Sequence, residues 1–330
     1  MALPRVHARY PSIVPRLPFL PLGAGPTGVR RIDQNDLWIK DDSRYGHLYG
    51  GNKVRKLEWS LADLLRRRCR VVVTGGGTGS HHAVAVARYA TAAGIPAHIV
   101  AVEQPYDQHV EAQMAAVRAA GATMYRVDSV AAAYATAGRL LVGAAVTGRR
   151  PGLLPVGGSN PHGCLGFVEA AFELAEQVAA GTLPAPRRIV VPVGSGGTAA
   201  GLILGVALAG LPTEVVGILV NDKTRVGPTQ VRRMATATAA LLRRHGAPVP
   251  DPVSLAPLQV RREWLGPGYG TPSAASVDAA QWLQHHTGLV ADPVYTAKAA
   301  AALRELCRGR VVEGPTLYWH TAPAATRSPA

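Results

Sequence analysis

Short apolar segments alternate with helical patterns along most of the chain, and this alternation restricts the fold more than any other feature. The segments RVVVT at residues 70–74 and RIVVPV at residues 188–193 are each followed by a glycine-rich turn and a helical pattern. Strands that are continuous apolar runs separated by helices form parallel sheets with right-handed crossovers. The sequence therefore predicts an α/β fold with a parallel sheet.

Periodicity and turn residues give approximate limits for the predicted elements. Strands are predicted at residues 37–40, 70–74, 97–102, 122–127, 188–193, 214–220 and 316–320. Helices are predicted from about residue 53 to 68 and at residues 81–93, 108–120, 130–146, 162–180, 199–209, 229–245, 273–286 and 296–308. Residues 1–35, with five prolines before position 23, are predicted to cross a domain surface without regular structure, and residues 248–257 to be irregular.

Length, hydropathy and cysteine content favour a soluble two-domain enzyme. At 330 residues the chain can bury a large core and is predicted to form two domains. No apolar run reaches membrane-spanning length, and the first 20 residues are too interrupted by proline for a signal peptide, so the cytoplasm is the expected location. Three scattered cysteines, Cys69, Cys164 and Cys307, indicate neither a disulfide framework nor a metal site.

The net charge of +14 raises the question of nucleic-acid binding. The basic residues, however, are spread along the whole chain, with short clusters only at residues 66–68, 149–150 and 243–244. Aromatic residues make up 5% of the chain and do not interleave with basic residues as in RNA-binding segments. A nucleic-acid partner is therefore not expected, and we interpret the charge as arginine-rich composition that can steer anionic substrates.

One lysine stands out at a predicted junction between a loop and a helix. In the segment GGNKVRKLE at residues 50–58, Lys53 follows two glycines and an asparagine, and glycines allow a backbone to approach a ligand closely. The chain has 35 lysines and arginines, of which only five are lysines. Since lysine can lose its proton and arginine cannot, a retained lysine indicates a need for a titratable amine. On composition alone, a solvated position in a surface helix is an equally good interpretation.

Two strand-to-helix turns carry further candidate ligands. The turn GSGGT at residues 194–198 follows a buried strand and opens a helix, so its backbone N–H groups form a candidate anion site. It lacks the lysine of a P-loop and the GxGxxG spacing, which disfavours a nucleotide, and an ordinary glycine-rich turn is the alternative. In the turn GGGTGSHH at residues 75–82, Ser80 either caps the helix or holds a substrate carboxylate. A dinucleotide site there lacks the usual acidic partner downstream.

These segments resemble the D-cysteine desulfhydrase and 1-aminocyclopropane-1-carboxylate (ACC) deaminase family, which are pyridoxal phosphate enzymes of the tryptophan-synthase-β fold type. The resemblance extends from about residue 38 to residue 320, with the motifs in family order. It implies that Lys53 binds the cofactor covalently, that Asn52 hydrogen-bonds to it, and that the turn at residues 194–198 holds its phosphate. The residues of that turn are Gly194, Ser195, Gly196, Gly197 and Thr198.

The resemblance also implies two domains with the cofactor in the cleft between them. A smaller α/β domain is expected at residues 57–165, inserted into a larger cofactor-binding domain formed by residues 1–56 and 166–330. Each domain is expected to contain an open, mostly parallel twisted sheet flanked by helices. The relatives suggest a homodimer.

Further roles in the site follow from the same resemblance. Ser80 and His82 match the serine and histidine of the family's Ser-Asn-His motif, whereas His81 replaces the asparagine, a residue expected to touch the cofactor or the substrate. Tyr269 in GPGYGTPS and Tyr295 in ADPVYTAK match tyrosines over and beside the cofactor, although single tyrosines are more often packed aromatic residues. The C-terminal HTAPAA lacks the family's usual Gly-Gly, so an altered pocket is expected.

Two positions separate the two activities of this family. ACC deaminases typically carry glutamate after the DPVY tyrosine and leucine after the histidine of the last strand, whereas desulfhydrase-like members carry a hydroxyl residue at both; here these are Thr296 and Thr321. A carboxylate near the pyridine nitrogen keeps it protonated and deepens the electron sink, which cyclopropane opening needs, and a neutral hydroxyl does not. The resemblance therefore implies an α,β-elimination, most like that of D-cysteine to pyruvate, ammonia and sulfide.

In this interpretation Lys53 holds the cofactor and then takes the α-proton, while Ser80 binds the carboxylate of a small amino acid. Tyr269 and Tyr295 position the substrate or assist proton transfer. Three alternatives stay open. The first is ACC deaminase, the second is a related enzyme that acts on another amino acid, such as cysteate, in a dedicated pathway, and the third is a non-catalytic module that binds pyridoxal phosphate or another anion.

Overall fold

The computed structural model describes residues 3–32, 36–105, 107–307 and 314–324, in which strands and helices alternate. The strands are β1 (Val29–Arg31), β2 (Leu37–Asp41), β3 (Val71–Gly77), β4 (Ala97–Val102), β5 (Thr123–Val127), β6 (Pro151–Leu154), β7 (Arg188–Val193), β8 (Glu214–Leu219), β9 (Leu258–Arg261) and β10 (Thr316–His320). The helices are α1 (Arg5–Arg9), α2 (Asn52–Arg66), α3 (His81–Ala92), α4 (Gln108–Ala119), α5 (Val130–Val146), α6 (Pro161–Ala179), α7 (Gly197–Leu208), α8 (Pro228–Arg244), α9 (Ala274–Thr287) and α10 (Thr296–Cys307). Short 3-10 helices lie at Pro11–Ile13 and Val156–Gly158.

The strands form two sheets. In the larger sheet, six strands follow the order β1-β2-β10-β7-β8-β9, and all neighbours are parallel except β1, which pairs antiparallel with β2. In the smaller sheet, four parallel strands follow the order β5-β4-β3-β6. Val72, Val73, Val190 and Val191 in the interior strands β3 and β7 are completely buried, which explains their continuous apolar sequences. The predicted α/β class with mostly parallel sheets is confirmed.

Helix α2 lies where two hydrophobic cores meet. Leu57 and Leu61 pack in a core with residues of β3, β4 and α3 from the smaller sheet. Trp59, between them in sequence, packs in a second core with residues of α6, α7 and the larger sheet. The strands of the smaller sheet all lie within residues 71–154, and the proposed domain limits at residues 57 and 165 stay a prediction.

The predicted strands and helices are present, with ends that differ by up to three residues. The largest difference is in β3, which continues through three glycines because Gly75, Gly76 and Gly77 pair with residues of β4. Residue 308, the predicted last residue of the final helix, lies outside the described residues. None of the described helices is long and apolar enough to cross a lipid bilayer.

Strands β1, β6 and β9 are absent from the prediction, and all three lie at sheet edges. Edge strands are short and only partly buried, so they lack the continuous apolar run that marks the interior strands. Strand β6 begins with Pro151, a residue that a sheet accepts at an edge or at the first position of a strand.

The proline-rich first 35 residues contribute more to the fold than their aperiodic sequence indicates. They contain α1 and β1, and Val6, Ile13 and Leu17 are buried in the core of the larger sheet. Prolines break the local periodicity, so the burial of this segment depends on tertiary contacts that no local pattern reveals.

Candidate active site

A cleft of about 710 Å³, including the solvent at its mouth, opens where strands β3 and β7 end. The turns after these two strands and the first turn of α2 line it, as expected for a ligand site at the carboxyl ends of parallel strands. The residues predicted from the sequence that line the cleft are Asn52, Lys53, Ser80, His81, Gly194, Ser195, Gly196, Thr198, Tyr269, Tyr295 and Thr321. Gly197 and Thr296 are not among the lining residues.

A glycine in an unusual conformation positions Lys53. Helix α2 begins at Asn52, and the residue before it, Gly51, has a φ angle of 84°. That left-handed conformation favours glycine, and an added Cβ would also come within 2.8 Å of the Thr321 carbonyl oxygen. Gly51, two residues before Lys53, is therefore required, and it brings the lysine amine in the first helical turn to the cleft.

The surroundings of Lys53 favour a neutral amine. Burial and the positive charge of Lys56 lower the pKa of Lys53 to about 7, against an opposing effect of Asp292. The amine donates a hydrogen bond to Asn52 Oδ1 at 2.8 Å, and Asn52 Nδ2 donates to Thr198 Oγ1 at 3.1 Å. A large fraction of the amine is thus unprotonated near neutral pH, the form that reacts with an aldehyde.

The turn between β7 and α7 is closely packed around its glycines. Gly196 has a φ angle of 86°, and an added Cβ on Gly197 would lie 2.5 Å from Ser159 Oγ. Ser159 Oγ accepts a hydrogen bond from the Gly197 N–H at 3.0 Å and lies 2.7 Å from Ser195 Oγ. Backbone and hydroxyl groups therefore converge at the positive end of a 12-residue helix, where an anion is stabilised.

These groups fit the cofactor that the resemblance implies. Lys53 supplies an amine for an aldehyde, while the start of α7 and the hydroxyls of Ser195 and Thr198 supply donors for a phosphate. Lys56 adds positive charge on that side, since its amine donates to the Gly157 carbonyl oxygen at 3.0 Å and an added Cβ on Gly157 would lie 2.2 Å from Ser195 Oγ. The residues present thus match a molecule that carries both an aldehyde and a phosphate.

The turn between β3 and α3 adds Ser80 and His81 to the lining of the cleft. Ser80 Oγ caps α3 by accepting the Ala83 N–H, but at 3.4 Å this bond is long. His81 Nδ1 lies 2.7 Å from Tyr49 Oη. Burial lowers the pKa of His81 to about 4, so the imidazole is neutral at neutral pH. The helix start, a hydroxyl and an uncharged imidazole together can receive a carboxylate and a polar substituent.

Two tyrosines from distant loops meet at the cleft. The Tyr269 and Tyr295 hydroxyl oxygens are 2.5 Å apart, and the Lys53 amine lies 6.0 Å from the centroid of the Tyr295 ring. Burial raises the pKa of both tyrosines, so both hydroxyls keep their protons at neutral pH. One hydroxyl donates to the other, and the remaining hydroxyl proton can be donated to a molecule in the cleft.

The two threonines that separate the family activities lie in different surroundings. Thr321 lines the cleft, and its carbonyl oxygen accepts the Asn52 N–H at 3.1 Å. Thr296 is fully buried, and its hydroxyl donates to Asp292 Oδ2 at 2.5 Å. The hydroxyl of Thr296 is thus engaged at the start of α10 rather than exposed in the cleft.

Three residues with roles in this geometry were not selected from the sequence. Lys56 carries the second amine of the cleft, Asp292 is a carboxylate in its lining, and Ser159 holds the glycine turn. Burial alone would raise the pKa of Asp292, but hydrogen bonds from Thr296 and Tyr295 favour its charged form and lower it. The sequence contains an indication for Lys56, because it is one of only five lysines and lies about one helical turn after Lys53. It also contains one for Asp292, since this is the aspartate of the DPVY segment that contains Tyr295. It contains none for Ser159, because only tertiary contacts bring that residue to this turn.

Comparisons with known proteins agree with the resemblance. A family model for "Pyridoxal-phosphate dependent enzyme" matches residues 20–322. D-cysteine desulfhydrase from Klebsiella pneumoniae subsp. pneumoniae is 31% identical over 323 residues, covering 94% of this chain and 95% of the relative. D-cysteine desulfhydrase from Serratia proteamaculans is 33% identical over 297 residues, covering 88% and 87%. A crystal structure of an ACC deaminase homologue superposes with a TM-score of 0.81 at 27% identity, covering 97% of this chain and 95% of that one.

Proposed function

The chain belongs to the pyridoxal-phosphate dependent enzyme family, and we propose that it catalyses α,β-elimination on D-cysteine, with water, to pyruvate, ammonia and hydrogen sulfide. One observation carries this proposal. The low-pKa amine of Lys53 shares a cleft with an anion-binding turn, in a chain similar to D-cysteine desulfhydrase over 94% of its length. Neutral hydroxyl residues at Thr296 and Thr321 support elimination rather than ring opening.

Lys53 acts first as ligand and then as base. Bound pyridoxal phosphate supplies an electron sink for the charge that develops at the substrate α-carbon. Lys53 would hold the cofactor through its amine, while Ser195, Thr198 and the start of α7 would bind its phosphate. When its amine is free, Lys53 would accept the α-proton, a task suited to a group whose pKa is about 7.

The wall opposite the phosphate orients the substrate. The positive start of α3 and the Ser80 hydroxyl bind the substrate carboxylate, which fixes the α-carbon relative to Lys53. Tyr269 and Tyr295 donate hydrogen bonds and can return a proton, since both stay protonated at neutral pH. The thiol leaves from the β-carbon with the bonding electron pair, and water releases pyruvate and ammonia from the three-carbon remainder.

The proposal includes the organisation of the protein. We place the cleft between a smaller domain at residues 57–165 and a larger one formed by residues 1–56 and 166–330, and expect a homodimer in the cytoplasm. Light scattering of the purified protein tests the dimer, and a monomer at micromolar concentration would contradict it.

Product analysis tests the proposed reaction. The purified holoenzyme is supplied with D-cysteine, and sulfide and pyruvate are measured; ACC is supplied in parallel, and 2-oxobutyrate is measured. We expect sulfide and pyruvate in equal amounts and no 2-oxobutyrate. A protein that binds the cofactor, as seen by its absorbance, and releases no product from D-cysteine would contradict the proposal.

ACC deamination is the second candidate, favoured by the superposition on an ACC deaminase homologue at a TM-score of 0.81. Thr296 and Thr321 disfavour it because neither can hold a proton on the pyridine nitrogen as a carboxylate does. Release of 2-oxobutyrate without sulfide in the same experiment would establish this second candidate.

A further inference from the structure

The cleft wall at the start of α3 contains a buried nitrogen without a partner. His81 lines the cleft and is 9% exposed, and among the described residues its Nε2 has no hydrogen-bond partner. Unsatisfied buried polar atoms are rare in native proteins, and a site for a bound molecule is one of the few reasons for them. The nitrogen is therefore a candidate contact for the substrate.

The other ring nitrogen of His81 is engaged by two polar side chains, one before α2 and one from α4. Nδ1 lies 2.7 Å from Tyr49 Oη and 3.4 Å from Gln113 Nε2. The His109 ring packs edge-on against the imidazole, with the ring centroids 5.1 Å apart. These contacts hold the imidazole in place from behind, and only the Nε2 side remains for a ligand. Tyr49 is thus a positioning residue that acts through His81.

The charges that face His81 restrict what this nitrogen can bind. Asp292, Lys53 and His109 face it from separate elements, and Tyr49 and Tyr295 face it as uncharged hydroxyls. Among the described residues that line the cleft, Asp292 is the only carboxylate. Burial keeps the imidazole neutral at neutral pH, and the positive start of α3 is already occupied by the substrate carboxylate in the proposed function. With Lys53 bound to the cofactor, no further positive group on this wall compensates a negative charge on the substrate β-carbon.

We propose that His81 is the residue that selects the β-substituent of the substrate. Its Nε2 hydrogen-bonds to an uncharged sulfur or oxygen group on the substrate β-carbon, and the nearby Asp292 carboxylate disfavours an anionic group such as a sulfonate. This inference rests on the proposed elimination and names its substrate class, a small amino acid with an uncharged polar β-substituent.

Substrate pairs that differ only in the β-substituent test this role. The holoenzyme and its His81→Phe variant, which keeps a planar ring without nitrogens, are compared on D-cysteine and β-chloro-D-alanine. We expect His81→Phe to lower kcat/KM about 10-fold more for D-cysteine than for the chloro compound, the effect of one lost hydrogen bond. His81→Asn, which restores a polar side chain, should recover part of the difference.

Two further measurements test the positioning of His81 by Tyr49 and the exclusion of a negatively charged β-substituent. They distinguish both from a general structural effect of replacing His81. Tyr49→Phe should shift the ratio of the two kcat/KM values in the same direction as His81→Phe, but less. The wild-type holoenzyme should turn over D-cysteate at least about 100-fold more slowly than D-cysteine, as expected for an anion facing a buried carboxylate.

Binding gives a readout that does not depend on turnover. Dissociation constants of D-serine and D-alanine are measured from the initial change in cofactor absorbance, before product forms. Wild-type protein should bind D-serine, which carries a hydroxyl on Cβ, more tightly than D-alanine, and His81→Phe should abolish that preference while leaving D-alanine binding within about 2-fold.

Equal losses on D-cysteine and β-chloro-D-alanine, or an unchanged preference for D-serine, would overturn the role of His81. Turnover of D-cysteate at the rate of D-cysteine would overturn the exclusion of anions. If the wild-type protein releases product from neither D-cysteine nor β-chloro-D-alanine, the proposed function fails. The comparison of D-serine with D-alanine still decides whether His81 binds the β-substituent.

Discussion

Helix α2 buries positive charge on two sides, and the two sides differ in the acceptors that they offer. On one side, fully buried Arg55 donates to Asp42 and Glu173 at distances from 2.9 to 3.1 Å. Lys40 also donates to Glu173, at 2.6 Å. Burial alone would lower the pKa of Arg55, but the negative charges of Asp42 and Glu173 raise it by more than burial lowers it, so this cation stays charged. Two cations and two carboxylates here connect β2, α2 and α6.

On the cleft side, the two amines have only uncharged acceptors. Lys53 donates to Asn52 Oδ1 at 2.8 Å and Lys56 to the Gly157 carbonyl oxygen at 3.0 Å. Across the described ranges of the chain, neither amine forms an ion pair with a carboxylate. Burial lowers the pKa of Lys56 to about 8 and that of Lys53 to about 7. One helix thus holds a permanent structural cation where carboxylates accept its hydrogen bonds, and titratable amines where the acceptors are uncharged.

Removal of the amine on the cleft side should have the largest effect. Lys53→Ala eliminates both the cofactor ligand and the proposed base, so we expect D-cysteine turnover to fall by at least about 10³-fold. Pyruvate release measures the rate, and urea unfolding of the two cofactor-free proteins should show a nearly unchanged free energy. The exposed Lys223→Ala is the matched control and should keep full activity. A Lys53→Ala protein that reacts at the wild-type rate contradicts the assignment.

On the side of α2 where Arg55 is paired with carboxylates, a substitution should lower the stability of the protein. Arg55→Met keeps the length of the side chain but leaves the carboxylates of Asp42 and Glu173 buried with one cation fewer. We expect the free energy of unfolding in urea to fall by about 3–5 kcal/mol. Arg118→Met, at an exposed position of α4, is the control and should change it by less than about 0.5 kcal/mol. A loss below about 1 kcal/mol for Arg55→Met would show that the pairing is not structural.

The smallest expected effect concerns the influence of one amine on the other. Lys56→Gln removes a positive charge that lowers the pKa of Lys53, so that pKa should rise. The neutral amine is the reactive form, and covalent cofactor binding by the cofactor-free protein, followed by absorbance against pH, should have its midpoint near the Lys53 pKa of about 7. We expect the variant's midpoint to be higher by less than about one pH unit. A midpoint that stays in place, as it should in Lys223→Gln, would contradict electrostatic coupling.

The use of lysine in this sequence indicates burial more clearly than it indicates chemistry. Lys40, Lys56 and Lys298 are at most 1% exposed. Lys298 donates to the carbonyl oxygens of Leu265 and Gly268, both at 2.7 Å, which ties α10 to the loop that carries Tyr269. Retained lysines therefore include structural donors, and lysine content alone could not separate them from Lys53.

Sequence patterns predicted the features that depend on neighbours along the chain. The interior strands, their glycine-rich turns and the helix after Lys53 all follow from local patterns. The turns at residues 75–82 and 194–198 follow strands of different sheets, so only the packing of the two sheets brings them to one cleft. The contacts of His81 could not be predicted in this way. Tyr49 and Gln113 come from segments 32 residues before and after it, and only the packed structure brings them together.

The position of α2 between the two cores also bears on cooperativity. Leu57 and Leu61 are held by one core, and Trp59 on the same helix is held by the other. An opening fluctuation in either half of the molecule therefore loosens the helix that starts at Asn52 and carries Lys53. Retention of the cofactor thus depends on the integrity of the whole chain, and loss of cofactor is an early sign of partial unfolding in either half.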